Sequence, residues 1–359
     1  MNKMKIVPVF LLLSLLPAAV LCAPAAPNKP RAAAAKKKAP AVKTSPAPVT
    51  GAAAEPAKPA ADPAAEAAPP PDPFAEAVAK LRSEEPVVRR QGASFLAQSR
   101  DPKAAPELMK VLSDELPGVR RAAVEGLGLL AWREASPQLS LMLTGDKDVS
   151  VRQQAAISLS YLSDPASGPA LMEALKDKSP SVRYAALHTI GAIKYMPAED
   201  SIIKLLDSKE PAACRTAISV LGMLRSAKAV PAVTALLDSS DQQVRLEAVR
   251  ALGEMGDRSA VPQLQKRLAA AERPAVRVAA AFSLAKMGIK DGLPAALELV
   301  KSTDLSVKNR ALNVITAVGD AQSLALLEEL YAAEQAPAAK GMLDLARQHL
   351  ASTLKAEKK

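Results

Sequence analysis

The chain repeats itself every 31 or 32 residues, and that rhythm limits what it can fold into more than any other feature. A Val-Arg pair or its equivalent opens each copy at Val88, Val119, Val151, Val182, Ala213, Val244, Val276 and Val307, in steps of 31, 32, 31, 31, 31, 32 and 31. Four residues on stands a small residue (Ala123, Ala155, Ala186, Ala217, Ala248, Ala280, Ala311), and eight on an aliphatic one (Leu96, Leu127, Leu159, Ile190, Leu221, Leu252, Leu284, Ile315). Residues so spaced share one face of a helix, and the alanines let a partner helix come close. A second motif, PxLxxxL, precedes most copies with its proline at Pro106, Pro137, Pro169, Pro231, Pro262 and Pro294. Proline is tolerated in a first helical turn, so this motif starts a helix of its own. Glycines after the last apolar residue (Gly128, Gly191, Gly222, Gly253) suit helix ends. One such pair of helices cannot bury its own apolar face, whereas stacked pairs can.

Composition agrees. Aromatics are 3% and strand-forming residues never alternate in clusters, so the chain is expected to be all-α. The pattern resembles the HEAT-repeat family in its short HEAT-like form, as in phycobilisome lyases, strongly over residues 86–318 and more weakly over 74–85 and 319–355. The resemblance implies a right-handed α-solenoid of about eight helical pairs over residues 74–355, with the Val-Arg helices lining its concave side. The helix expected at about 337–354 departs from the motif and should cap the stack, ahead of a charged tail at 356–359.

The start of the chain reads differently. Lys3 and Lys5 precede an apolar stretch of 16 residues (6–21), and Ala23-Pro24-Ala25 fits a signal-peptidase site cutting before Ala26. A spanning helix needs about 20 apolar residues, so residues 1–25 are expected to be a signal peptide of an exported, periplasmic or secreted protein, with no transmembrane segment in the mature chain. Cys22 raises a lipoprotein alternative, against which Leu21 stands where a small residue is expected. Residues 26–73 hold 12 of the 30 prolines and the cations Lys29, Arg31, Lys36, Lys37, Lys38 and Lys43. Such a segment is expected to be a disordered, semi-extended tether. Its charge either solubilises the chain or rests on an anionic surface.

After each Val comes a cation: Arg89, Arg120, Arg152, Arg183, Arg245, Arg277 and Lys308, with Cys214 breaking the series. Asp114, Asp146, Asp177, Asp238 and Asp304 precede most of them. This ladder is expected to lock repeat to repeat; a cationic binding stripe is the other reading. Cys214 is expected to be a packing residue, because no His or second Cys near it in sequence would activate a nucleophile.

Chemistry is hard to find. Two histidines, His188 and His349, cannot build the usual zinc sets, and no HExxH, phosphate loop or GxSxG elbow occurs. The His-Glu pairs of HEAT-like iron hydroxylases are missing. Export argues against a bilin lyase and a DNA glycosylase, and Trp132 is the sole Trp for stacking a flipped base. No cofactor, metal or nucleic acid is therefore expected.

Two columns of the Val-Arg helices vary where the core columns do not. Counting the Val as zero, position 2 includes Arg90, Arg121, Tyr184, Arg215 and Leu246, and position 6 includes Ile157, His188, Arg250 and Phe282. Tyr184, Arg215, Leu246, Arg250 and Phe282 offer interface anchors, and Arg90 and Arg121 belong to a basic cluster in the first two repeats. The expectation is a non-catalytic exported scaffold that binds a protein through its concave face. The alternative is an envelope-anchoring structural protein that uses its basic tether.

Overall fold

A computed structural model describes residues 72–357, which form helices and turns and no strand. The first helices of the pairs are α1 (Pro73–Lys80), α3 (Ala104–Lys110), α5 (Ser136–Gly145), α7 (Gly168–Ala174), α9 (Glu199–Lys204), α11 (Val230–Ala235), α13 (Val261–Lys266), α15 (Leu293–Leu299) and α17 (Ala321–Ala333). The second helices are α2 (Pro86–Ser99), α4 (Pro117–Leu129), α6 (Val149–Leu162), α8 (Pro180–Ala192), α10 (Pro211–Leu224), α12 (Gln242–Met255), α14 (Pro274–Lys286), α16 (Leu305–Val318) and α18 (Pro337–Glu357). Eight pairs carry the motif. A ninth, α17 with α18, closes the stack, its last helix packing on α16.

The sequence starts each second helix in one of two ways. α2, α4, α8, α10, α14 and α18 open on proline, whose fixed φ and missing N–H suit a first turn. The other three are capped by aspartates: Asp148 accepts from the Ser150 amide at 2.8 Å, Asp241 from Gln243 at 2.7 Å and Asp304 from Ser306 at 2.8 Å. The zero, fourth and eighth columns then point into the stack. Ala123, Ala155, Ala186, Ala217, Ala248, Ala280 and Ala311 are wholly buried, as is the Leu/Ile column from Leu96 to Ile315. Against them lie Leu108, Leu139, Leu171, Ile202, Val233 and Leu264 of the first helices.

The glycines do not end helices. Gly128, Gly191, Gly222 and Gly253 lie inside α4, α8, α10 and α12, where the next second helix passes closely. A Cβ on Gly128 would stand 2.6 Å from Ser158 Oγ, one on Gly253 2.5 Å from Ser283 Oγ, and one on Gly222 3.1 Å from the Ala251 Cα. They are spacers. Of the helix ends, Gly256 (φ 72°) takes a left-handed cap, while Arg100, Ser163 and Arg225 do the same without being glycine.

Close approach also shapes the stack. Each second helix packs extensively on the next along the whole row from α2 to α18, whereas among the short first helices only α5 and α7 pack on one another appreciably, and less than any pair of that row. This is the row that the repeat resemblance places on the concave side. The second helices thus form the inner row.

Candidate functional site

Turns join the two helices of each pair at one edge of the stack, and the Val-Arg ladder links each of these turns to the next. Arg89 donates to Asp114 at 2.7 and 3.2 Å, Arg120 to Asp146 at 2.8 and 2.7 Å, and Arg152 to Asp177 at 2.7 and 3.1 Å. Each also donates from Nη1 to two carbonyls of its own turn, as Arg120 does to Asp114 and Glu115 at 2.8 and 3.1 Å. Arg183 and Arg245 keep the carbonyl bonds; Arg183 has only Glu210 at 3.7 Å as counter-charge. Arg277 pairs with Glu298 at 2.7 Å and Lys308 with Glu334 at 3.0 Å. Two of the acids noted in the sequence do other work: Asp238 meets Arg267, and Asp304 caps α16.

The acid of each complete rung stands five residues before the next repeat's Val. That position is Asp114, Asp146 or Asp177 early on, and Ser208, Ser239 or Ser302 later. Either residue accepts from the amide two places on: Asp146 from Asp148 at 2.8 Å, Ser239 from Asp241 at 3.2 Å. Only aspartate can also hold a guanidinium. Burial alone would raise the Asp114 carboxyl, but Arg89 and the Leu116 amide outweigh it and hold it below the usual carboxylate range. The Arg152 hydrogen bond does the same for Asp177 against burial.

Cys214 stands at the missing rung, 5% exposed, with its thiol donating to the Leu206 carbonyl at 3.3 Å. Burial pushes the thiol pKa up despite the neighbouring Arg215. That is a packed, protonated sulfur. Arg215 reaches Asp241 of the next turn at 3.8 Å.

Position 2 proves to be a seam as much as a surface. At about 100° per residue it leans toward the following inner helix. Leu246 is accordingly buried, 8% exposed, and cannot meet a partner; Val278 is buried too. Tyr184 is half-buried and donates to Glu210 at 3.1 Å. Arg90 and Arg121 are exposed. Position 6 points away from the core. His188 and Arg250 are exposed there, while Ile157 and Phe282 are half-buried.

One turn further along, position 10 shares that open side, and the sequence reading passed over it. Its residues are Gln98, Leu129, Tyr161, Ala192, Met223, Glu254, Lys286 and Ala317, all exposed. Positions 6 and 10 together give the inner face two chemistries. From α4 to α10 its exposed large side chains are mostly apolar, Leu129 at 39%, Tyr161 at 53% and Met223 at 42%, with Ile157 among them and Glu125 and His188 interrupting. From α12 to α16 it is charged. Phe282 lies between two cations, Lys286 Nζ at 5.2 Å and Arg310 Cζ at 5.8 Å from its ring centroid. Arg250 faces Glu247 at 3.6 Å, and Lys286 meets Glu254.

Two titratable groups of this face are crowded by their surroundings. His188 is solvent-reachable, yet flanking atoms thin its water and lower its pKa, and it senses Glu247 two repeats on. Desolvation likewise lowers Arg310, helped by repulsion from Arg250 two repeats before it. Polar clasps hold the row together: Ser158, Thr189 and Ser283 each donate at 2.8 Å to a carbonyl of the preceding inner helix, Val124, Ala156 and Val249. Among the described residues no group of three His, Cys, Asp or Glu side chains could hold a metal ion. No described helix is long and apolar enough to cross a membrane.

A stacked array with an extended inner face is an interaction architecture. HEAT-repeat family models match residues 74–140, 136–210, 199–273 and 261–343, and the chain belongs to that family. No curated protein sequence matches it. Among solved structures, it is similar to the complex of CpcE and CpcF of phycocyanin lyase from Nostoc sp. PCC7120, at 24% identity over 72% of this chain and 98% of that one, with a TM-score of 0.42. It is also similar to YibA of Escherichia coli (18% identity, 73% of this chain and 96% of that one, TM-score 0.46). Human deoxyhypusine hydroxylase in complex with glycerol is a third likeness (19% identity, 68% and 95%, TM-score 0.32).

Proposed function

We propose that this protein is an exported, non-catalytic scaffold that binds another protein along the inner face of its HEAT solenoid. The observation that carries the reading is the exposed position-10 column. Every residue in it is exposed, and the aromatic and aliphatic ones stand in consecutive repeats on a concave row. Large apolar side chains so grouped mark interaction sites. Export and the approach of the basic arm to an anionic surface are read from residues 1–25 and 26–73; residues 1–71 lie outside the described residues.

A photo-crosslinking residue placed in the full chain at Tyr161 or Met223 should give discrete adducts with one protein in the source cell. The same probe at Leu141 on α5, which is 65% exposed, should not. Adducts only from Leu141 would move the site to the outer row. Turnover by the purified protein, lost on one side-chain change, would sink the non-catalytic reading. Sequencing the mature N-terminus tests export: processing before Ala26 is expected. Relocation of a chain lacking residues 26–71, with its partner kept, would favour the anchoring role for that arm.

A further inference from the structure

Arg310 is the least satisfied cation of the inner face. It is half-buried on α16 and desolvated, Arg250 repels it, and it has no hydrogen bond or ion pair among the described residues. A guanidinium carries five donors and no acceptor, and removing such a group from water is costly unless it is paired. Glu247 offsets this cost in part, but that charge is shared. Glu254 is engaged by Lys286, and Glu247 lies 3.6 Å from Arg250. Lys286 and Arg310 flank Phe282, and Arg250 stands near enough to repel Arg310, with Glu247 and Glu254 as the carboxylates among them. Across the inner columns Arg90, Arg121 and Arg215 add positive charge, against Glu125.

Resting on the reading of the inner face as a partner groove, we propose that Arg310 and Arg250 receive an Asp or Glu side chain of the partner, and that this fixes which way the partner lies. Its acidic end sits over α12–α16, and its apolar residues lie on Leu129, Ile157, Tyr161 and Met223. A planar guanidinium takes a carboxylate through two parallel bonds, and the half-buried Phe282 ring lies beside Arg310. Inner helices spaced about 8–10 Å apart put α4 and α16 roughly 50–60 Å from each other. An extended segment at about 3.3 Å per residue covers that with about 15–18 residues.

The test is selection of peptides of about 18 random residues, the length that spans the face, on the full-length chain. The selected sequences should carry Asp or Glu in one half and Leu, Ile, Phe or Tyr in the other. A variant with Arg250→Gln and Arg310→Gln should bind them about tenfold more weakly or worse, the scale of a lost charge-assisted bond. Selection on that variant should keep the apolar bias and lose the acidic one. Arg310→Lys, which keeps the charge without the fork, should recover only part of the affinity. Its thermal unfolding, matched to the parent, separates binding from folding. Apolar peptides without acidic bias, or equal binding by the double variant, would overturn the carboxylate anchor and leave the groove standing. Failure to select any peptide would overturn both. A short oligonucleotide bound more tightly than any peptide, and lost in the double variant, would reassign the cluster to phosphates and overturn the proposal.

Discussion

The two ends of the stack hold together by the same apolar columns, yet they are fastened and faced differently. From α2 to α8 the turns are linked by complete Arg–Asp rungs, and the exposed large apolar residues of the inner face, Leu129, Tyr161 and Met223, begin on α4 and end on α10. From α10 onward the rung position before each Val is no longer aspartate, and the inner face carries charge. The charged half is still cross-linked by ion pairs, Arg267–Asp238, Lys286–Glu254, Arg277–Glu298 and Lys308–Glu334, but these are not the repeated bidentate rung. Arg89, Arg120 and Arg152 are spent on structure, each side chain only 13% exposed. Arg250 and Arg310 are not. Location within a repeat, not residue type, decides whether an arginine here is tied into the turns or left on the inner face.

Breaking the shared part should cost most. Leu159→Ala, in the buried eighth column, should lower stability by about 2–5 kcal/mol in urea unfolding, with Leu284→Ala close to it. The rungs should then separate the two regions. Arg120→Met strands the nearly buried Asp146 and should cost about 3 kcal/mol. Arg245→Met strands only turn carbonyls and should cost about 1 kcal/mol. Equal costs would mean the rungs contribute only through their carbonyl bonds.

Acid should reveal the same asymmetry. Asp114 and Asp177 have depressed folded-state pKa values, so the unfolded chain takes up protons first as pH falls. Their contribution is present above the unfolded value of about 4 and is lost as pH falls through the folded one. A variant with Asp114→Asn and Asp177→Asn should be less stable at pH 7, with that deficit shrinking below about pH 4. A constant deficit would detach these carboxylates from the fastening. Ser158→Ala should cost least, about 1 kcal/mol, because it removes one neutral clasp to Val124. Building a rung reverses the comparison: Cys214→Arg with Ser239→Asp should be more stable than Cys214→Arg alone.

The period, the three core columns and the proline starts were readable from spacing, because they depend only on which residues share a helical face. The glycines were not. Gly128 and Gly253 owe their size to Ser158 and Ser283, one repeat away, and no local pattern distinguishes a spacer from a cap. Position 2 was misjudged in part for the same reason. Leu246 looks like an outward anchor on its own helix and is buried by the next one. Position 10 was within reach, one turn beyond position 6, where an exposed Tyr and Met recur. The Asp-to-Ser change at the rung position was also in plain text, but its meaning needs the guanidinium that the aspartate holds.

Where α10 meets α12, the stack lacks its rung: Cys214 offers no guanidinium and Ser239 no carboxylate, and Arg215 stays 3.8 Å from Asp241. Yet the inner contact of these two helices is the most extensive in the row. A bidentate ion pair fixes an angle, while apolar contact is non-directional. That joint is therefore firmly held and weakly aimed. It is the joint where neither half of a rung is present, and it divides the stretch with exposed apolar side chains from the charged one.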